Sequence, residues 1–269
     1  MKVRAVFLAG LAGLLVFGLA VWTKVPRHDR TWKAHLSRLP EVALDDETFS
    51  IATYRNWTYP RGEAPEPAWQ DLAQHSIGDV RTVWFLVEPH PGLPVMAHTL
   101  VLFEFDTGDM IGLTVEARKE AGESYSALRG GLNAFELIYQ WATPRDLLTR
   151  RAVFMEKELY RYRLELSQGE AEAYLRAVLE KTQAIEREPR FYNTLTSNCT
   201  NELAKAAGLP WHPAFVLTGG SAEALYEMGR ISGPEDFGEV REAARIDDRV
   251  REIADLDEGS FNAALVSGR

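Results

Sequence analysis

Two apolar runs, HTLVLFEF (98–105) and MIGLTVEA (110–117), flank the tetrapeptide Asp106-Thr107-Gly108-Asp109. Runs rich in β-branched and aromatic residues on either side of a Gly-containing turn specify an antiparallel hairpin. The turn suits a three-residue loop, a type I turn closed by Gly108 in the left-handed conformation. That register sets Phe105 opposite Asp109 and, counted outward, His98 opposite Glu116. Cross-strand partners on one face bring their Cβ atoms to about 4.5–5.5 Å. A two-residue loop would instead place Ala117 opposite His98.

The rest of the chain reads around this hairpin. RTVWFLVEP (81–89) is a strand halted by EPHPGLP. FELIYQWA (135–142) and RAVFMEKELYRYRLEL (151–166) read as further strands, although the second also fits a helix. SQGEAEAYLRAVLEKTQAIER (167–187) is a helix, with Ser167 as N-cap and Glu170 completing a capping box. Cys199 opens the next helix, which Gly208 and Pro210 end. Residues 39–79 read as irregular, with Pro60 to Pro67 an exposed loop. The tail from Pro234 is charged and helical in places. The class is α+β, an antiparallel sheet packed with helices.

The N-terminus carries no charge between Arg4 and Lys24 and is almost wholly apolar. About 20 apolar residues suffice to span a bilayer, so a transmembrane helix fits. A cleaved signal peptide is the competing reading, with Gly18-Leu19-Ala20 as its cleavage site. Lys2 and Arg4 precede the run and Lys24, Arg27 and Arg30 follow it, so charge bias does not fix the topology. The Trp-containing stretch Lys24 to Lys33 is expected near the membrane surface. A folded domain outside the cytoplasm follows. The net charge of −9 and the lack of a basic stripe argue against nucleic-acid binding. No HExxH, paired cysteines or close histidine cluster points to a metal, and no phosphate loop of recognised spacing points to a nucleotide; no cofactor is expected.

In an exported chain a single cysteine is notable, because such proteins use cysteines mainly in pairs. The bland reading of Cys199 is a buried apolar residue. Asn198, however, can cap the helix and put Cys199 at its first position, where free N–H groups and the helix dipole favour a thiolate. The same N–H groups could hold an oxyanion. The base must come from six histidines. His28, His35 and His75 lie in polar stretches, His90 sits between prolines, and His212 follows the Cys199 helix. His98 begins the apolar strand, with Glu116 placed by register to fix its tautomer; a satisfied surface or core histidine is the alternative. Asn198, Thr200, Arg118 and Tyr125 are candidates for the substrate or oxyanion site, with tying Arg118 and Tyr125 to the core as the competing role. Asn193 and Asn198 can equally form turns. Asp146 and Arg150 read as a local ion pair.

The order His on a strand, acid on the next and Cys on a later helix resembles circularly permuted NlpC/P60-type thiol enzymes. AHTLVLFEF, LTVEARKEAGESYS, FELIYQWATPRDLLTRR and FYNTLTSNCT together resemble the periplasmic domain at the N-terminus of Lnb-type lipoprotein N-acyltransferases. The resemblance covers roughly residues 80 to 240. It implies a permuted papain-like domain in which Cys199 is nucleophile and acyl carrier, His98 the base and Glu116 its partner. It also implies a phospholipid acyl donor and a lipoprotein acceptor. Unlike those acyltransferases, the chain has no long apolar segment after Cys199, so access to lipid would come from tethering or a membrane partner protein. The expected organisation is an anchor or signal segment (1–24), a juxtamembrane lead-in (25–79), a catalytic domain (80–240) and a charged helical tail (241–269). The expected location is the bacterial inner membrane, single-pass, with the domain in the periplasm. Two other functions fit the sequence: a thiol peptidase or amidase acting on peptide or cell-wall amides, and a non-catalytic membrane-attached binding module.

Overall fold

A nine-stranded, mostly antiparallel sheet organises the protein. The structure, a computed structural model, describes residues 24–267. The expected membrane anchor therefore falls, apart from Lys24, outside the described residues. Among the described residues no helix is long and apolar enough to cross a membrane.

The strands are β1 (Glu41–Leu44), β2 (Thr48–Arg55), β3 (Trp69–Ser76), β4 (Val80–Pro89), β5 (Ala97–Phe105), β6 (Met110–Arg118), β7 (Phe135–Ala142), β8 (Tyr160–Arg163) and β9 (Phe191–Tyr192). Their order is β1-β2-β7-β6-β5-β4-β8, with β3 on β2 and β9 on β7. The helices are α1 (Ala127–Gly131), α2 (Pro144–Thr149), α3 (Gln168–Arg187), α4 (Cys199–Ala206), α5 (Ser221–Glu227), α6 (Phe237–Ala243), α7 (Asp247–Ile253) and α8 (Glu258–Ser267).

Strand alternation gives the sheet two buried faces, and each has its own core. On one, Val101, Phe103, Leu113 and Val115 pack with Leu175, Val178 and Leu179 of α3 and Leu203 of α4. On the other, Leu100 and Leu102 pack with Leu147 and Leu148 of α2, Val250 of α7 and Phe261 of α8. Helix α3 carries the Ser167–Glu170 capping box and buries Ala171, Tyr174, Leu175, Val178, Leu179, Thr182 and Ile185, the stripe expected of a one-sided helix. Gly112 is required by packing: a Cβ there would collide with Leu147 of α2 and lie 2.9 Å from the Ala142 carbonyl.

Two regions differ from the reading of the sequence. Residues 39–79 are not irregular: β1, β2 and β3 extend the sheet, although Pro60 to Pro67 is a largely exposed loop. The alternation of Phe49 and Ile51 breaks where Thr53 takes φ 58° and the β2–β3 register shifts, so no clean period two remains. Residues 151–166 are only partly strand. Thr143 caps α2 and Pro144 starts it, and the helix runs on as a π-helical turn, Arg150–Phe154, before β8 joins β4. The stretch Lys24 to Lys33 is docked on the domain: Lys33 N–H donates to the Lys119 carbonyl (3.0 Å), Ala121 N–H to Thr31 (2.7 Å) and Arg27 N–H to Glu136 (3.2 Å). The tail likewise contributes Ile246, Val250, Ile253, Phe261 and Leu265 to the second core.

Candidate functional site

The β5–β6 hairpin closes with a three-residue loop. Phe105 N–H donates to the Asp109 carbonyl and Gly108, at φ 83°, returns its N–H to Phe105, each at 2.9 Å. Pairing then runs from Glu104–Met110 to Leu100–Thr114 and stops. Beyond that point β5 stays on β4 as far as Ala97–Pro89, and β6 stays on β7 as far as Arg118–Glu136. The two halves of the sheet therefore splay, and His98 and Glu116, in register but past the last rung, face each other across the opening. Their contact is through side chains, with His98 Nε2 3.3 Å from Glu116 Oε1.

Cys199 reaches this opening from α4. The Asn198 side chain accepts from Asn201 N–H (2.9 Å), and the Asn201 side chain accepts from Asn198 N–H (2.8 Å). The Asn198 amide also donates to the carbonyls of Thr194 and Phe215 (2.9 and 3.0 Å). Asn198 thus fixes the helix start, and neither its amide nor its backbone N–H is left for an oxyanion. The Cys199 N–H, at the first helical position, has no acceptor among the described residues; such orphan donors define a helix N-terminus. Glu202, buried in the first turn, accepts from Tyr139 of β7 (2.7 Å) and Ser197 (2.8 Å), which locks the helix against the sheet.

The electrostatics lower the Cys199 thiol and raise the His98 imidazole. Burial opposes the Cys199 thiolate, but the His98 charge and hydrogen bonds from His98 and from Thr99 outweigh it, so the thiol is held below its ordinary value. Burial likewise opposes the His98 imidazolium, yet Glu116 and the Cys199 sulfur raise it to about 10. Burial also works against ionised Glu116, and His98, Lys119 and Arg151 reverse it, holding the carboxyl well below its usual range. Nε2 is committed to the Thr114 and Glu116 side, and the sulfur lies 3.8 Å from Thr200 Oγ1. Glu116→Gln should remove part of the field that keeps His98 protonated and so raise the Cys199 pKa. The check is the pH midpoint of iodoacetamide alkylation; an unmoved midpoint would take Glu116 out of the network.

Two participants, Thr114 and Arg151, were not read from the sequence. The shortest His98 contact is Nε2 to Thr114 Oγ1 (2.7 Å), and Thr114 also lies 3.2 Å from Glu116 Oε1. Thr114 is diagonal to His98 on the face Glu116 shares, so the i, j±2 rule could have suggested it. Arg151 lies beneath both, 3.1 Å from Glu88 of β4 and 3.3 Å from Glu116 of β6, and bridges the splayed halves. Nothing in the sequence linked Arg151 to those strands.

The opening is a cavity of about 310 Å³ lined by His98, Glu116, Asn198, Cys199 and Tyr125, with Pro91, Met96, Ala97, Val115, Ala117 and Met155 as apolar wall and Lys119, Arg150 and Lys157 as basic wall. A second hollow of about 740 Å³ shares His90, Pro91 and Lys157 with it. Thr218 secures the rim, accepting from Ala97 N–H (2.8 Å) and donating to the Ala97 carbonyl (2.6 Å).

The remaining candidates separate clearly. Tyr125 lines the cavity, its hydroxyl near those of Tyr192 (3.5 Å) and Thr194 (3.4 Å). Thr200 is buried on the sheet side of α4, 3.0 Å from Thr99 Oγ1. Arg118 does not reach the cavity: it donates to the Leu36 and Ser37 carbonyls (both 2.9 Å) and stacks 4.4 Å from the Trp32 ring, tying the lead-in to the core. Asn193 is a turn former, accepting from Leu195 and Thr196 N–H. Asp146 pairs with Arg55 rather than Arg150, and both partners are buried.

Among the described residues no group of three or more His, Cys, Asp or Glu converges to hold a metal. No curated protein and no solved structure matches the chain. The family described as the Lnb N-terminal periplasmic domain matches residues 66–221, more than half of the sequence and all of the Cys199, His98 and Glu116 constellation. The chain belongs to the family of the Lnb N-terminal periplasmic domain.

Proposed function

We propose that this protein is a periplasmic thiol acyltransferase, held at the inner membrane by its N-terminal segment, that moves an acyl chain from an ester lipid to an amino group through a Cys199 thioester. The observation that carries the reading is Cys199 at the first position of α4, lining one open cavity with His98 and its partner Glu116. A Cys199 thiolate attacks an ester carbonyl, and the Cys199 N–H, without an acceptor of its own among the described residues, is the donor offered to the oxyanion. The ester C–O bond breaks as imidazolium His98 gives its proton to the departing alkoxide. A neutral amine then attacks the thioester, the C–S bond breaks, and His98 takes the amine proton as amide and thiolate form. Water in place of the amine gives hydrolysis by the same steps. The apolar wall suits the lipid, and the adjoining hollow offers separate room for the acceptor, a lipoprotein amino terminus. The architecture fits a permuted papain-like thiol enzyme, with base and acid on strands before the nucleophile helix.

Intact-protein mass spectrometry after incubation with phospholipid vesicles, wild type beside Cys199→Ala, tests the reading. A hydroxylamine-labile acyl adduct is expected on the wild type alone. Absence of any adduct, with Cys199 also inert to iodoacetamide, would make the thiol structural and the protein a binding module. An adduct that discharges only to water would make it a hydrolase.

A further inference from the structure

Two cations on the cavity wall lack the anion their surroundings call for. Lys119 follows β6 and Arg150 opens the π-helical turn, and both line the cavity with Cys199. Among the described residues neither has a carboxylate within 4.0 Å. Arg150 is held by neutral acceptors, His35 Nε2 at 3.2 Å and Met155 Sδ at 3.3 Å. Burial and the Arg150 charge keep His35 neutral, with its pKa lowered to about 2, so its ring accepts without cancelling the charge. The two wall carboxylates, Glu88 and Glu116, are taken by Arg151 and His98. The wall thus sets Lys119, Arg150, Arg151 and Lys157 against two glutamates, in a chain whose net charge is −9.

Burial, with cationic neighbours, pushes both Lys119 and Arg150 below their ordinary values despite the pull of Glu116. A half-buried charge without a partner is stabilised when a counter-charge arrives. A phosphate oxygen is the apt one, because guanidinium and ammonium donors make charge-assisted hydrogen bonds to it. In a glycerophospholipid the phosphodiester and the scissile esters hang from one glycerol. A lipid with its phosphate at the basic wall therefore places an ester in the same small cavity as the sulfur.

We propose that Lys119 and Arg150 form an anion subsite that holds the phosphodiester of a glycerophospholipid donor beside Cys199 and selects it over a neutral diacylglycerol. The lipid part of this assignment rests on the acyl-transfer reading; the anion part does not. The subsite makes Lys119 and Arg150 specificity determinants of the first half-reaction, in which the lysophospholipid leaves.

Two measurements on the full chain separate the parts. Cys199 is alkylated with iodoacetate and with iodoacetamide, in wild type, Lys119→Met and Arg150→Met. Both reagents consume the same thiolate, so a change in thiol pKa cancels in their ratio. That ratio should fall about 10-fold in each variant, as removal of a focused positive field requires. An unchanged ratio in both would overturn the anion subsite. Glycerophosphoethanolamine should slow the iodoacetate reaction of the wild type more than equimolar inorganic phosphate does; the reverse would assign the site to free phosphate and overturn the lipid occupant. Cys199 acylation is then followed from phosphatidylethanolamine vesicles and from diacylglycerol in neutral micelles. A wild-type preference of about 10-fold or more, equivalent to one charge-assisted hydrogen bond, should shrink in both variants. Equal use of the two lipids would overturn donor selection. A falling alkylation ratio with no acylation from any lipid would end the acyl-transfer reading while leaving an anion subsite for a different substrate, such as an acidic peptide.

Discussion

His98→Ala should slow acyl transfer from lipid to an amine by about 10²–10⁴-fold, the range for loss of a general acid–base group. The sign of the accompanying pH effect follows from the charged pair. The thiol is held low because burial is outweighed by the His98 charge and its hydrogen bond, with Thr99 adding to them. Without His98 the burial cost remains and most of the compensation goes. The Cys199 pKa should therefore rise, and alkylation at neutral pH should slow. In the wild type, reactivity should climb through a midpoint below the ordinary thiol value and hold to higher pH, since His98 keeps its proton until about pH 10. Iodoacetamide kinetics between pH 5 and 10 would show it. A variant with wild-type midpoint and turnover would remove His98 from the site. Circular dichroism should be unchanged, because truncating the His98 side chain leaves its backbone on the β4–β5 ladder opposite Glu88.

Asp146→Ala should cost about 3–5 kcal/mol of stability, the penalty for breaking a buried pair and stranding one charge. Asp146 is 0% and Arg55 1% exposed. The guanidinium contacts the carboxylate at 2.7, 2.9 and 3.1 Å, and the same carboxylate accepts from Trp57 N–H at 2.7 Å. Truncation leaves Arg55 with the His35 carbonyl and strands the Trp57 N–H. For a chain of this size the melting temperature should fall by on the order of 10 °C. Urea or thermal denaturation measures it, and a loss under about 1 kcal/mol, the range of an exposed pair, would refute the buried-pair account. Replacing both partners, Arg55→Met with Asp146→Leu, should recover much of the loss, because no charge is then stranded.

The contrast between these residues shows what the sequence could disclose. The His98–Glu116 register was legible because one turn, closed by Gly108, fixes every residue of a hairpin by counting. The Cys199 helix start was legible because Asn198 is a local cap. Arg55–Asp146 spans 91 positions, and the Asp146–Arg150 spacing supplied a nearer, wrong partner. Arg118 follows Glu116 by two residues and shares its strand, yet the lead-in turns it into a clamp on Leu36 and Ser37. The stop in β5–β6 pairing also escaped, because strand propensity continues past Leu100 while the ladder does not. Local chemistry was readable; long-range charge pairing and the breaking of a ladder were set by tertiary packing.

That broken ladder has a mechanical consequence. Nucleophile and base flank the tip of a crack in the sheet, and Arg151 sits in it as a wedge, gripping Glu88 on one lip and Glu116 on the other. The spacing of the lips is therefore governed by carboxylates rather than by backbone rungs. Removing the guanidinium, as in Arg151→Met, would release the wedge and let the lips drift while the zipped sheet below Leu100 and Thr114 stays whole, so reactivity would fail before the fold does.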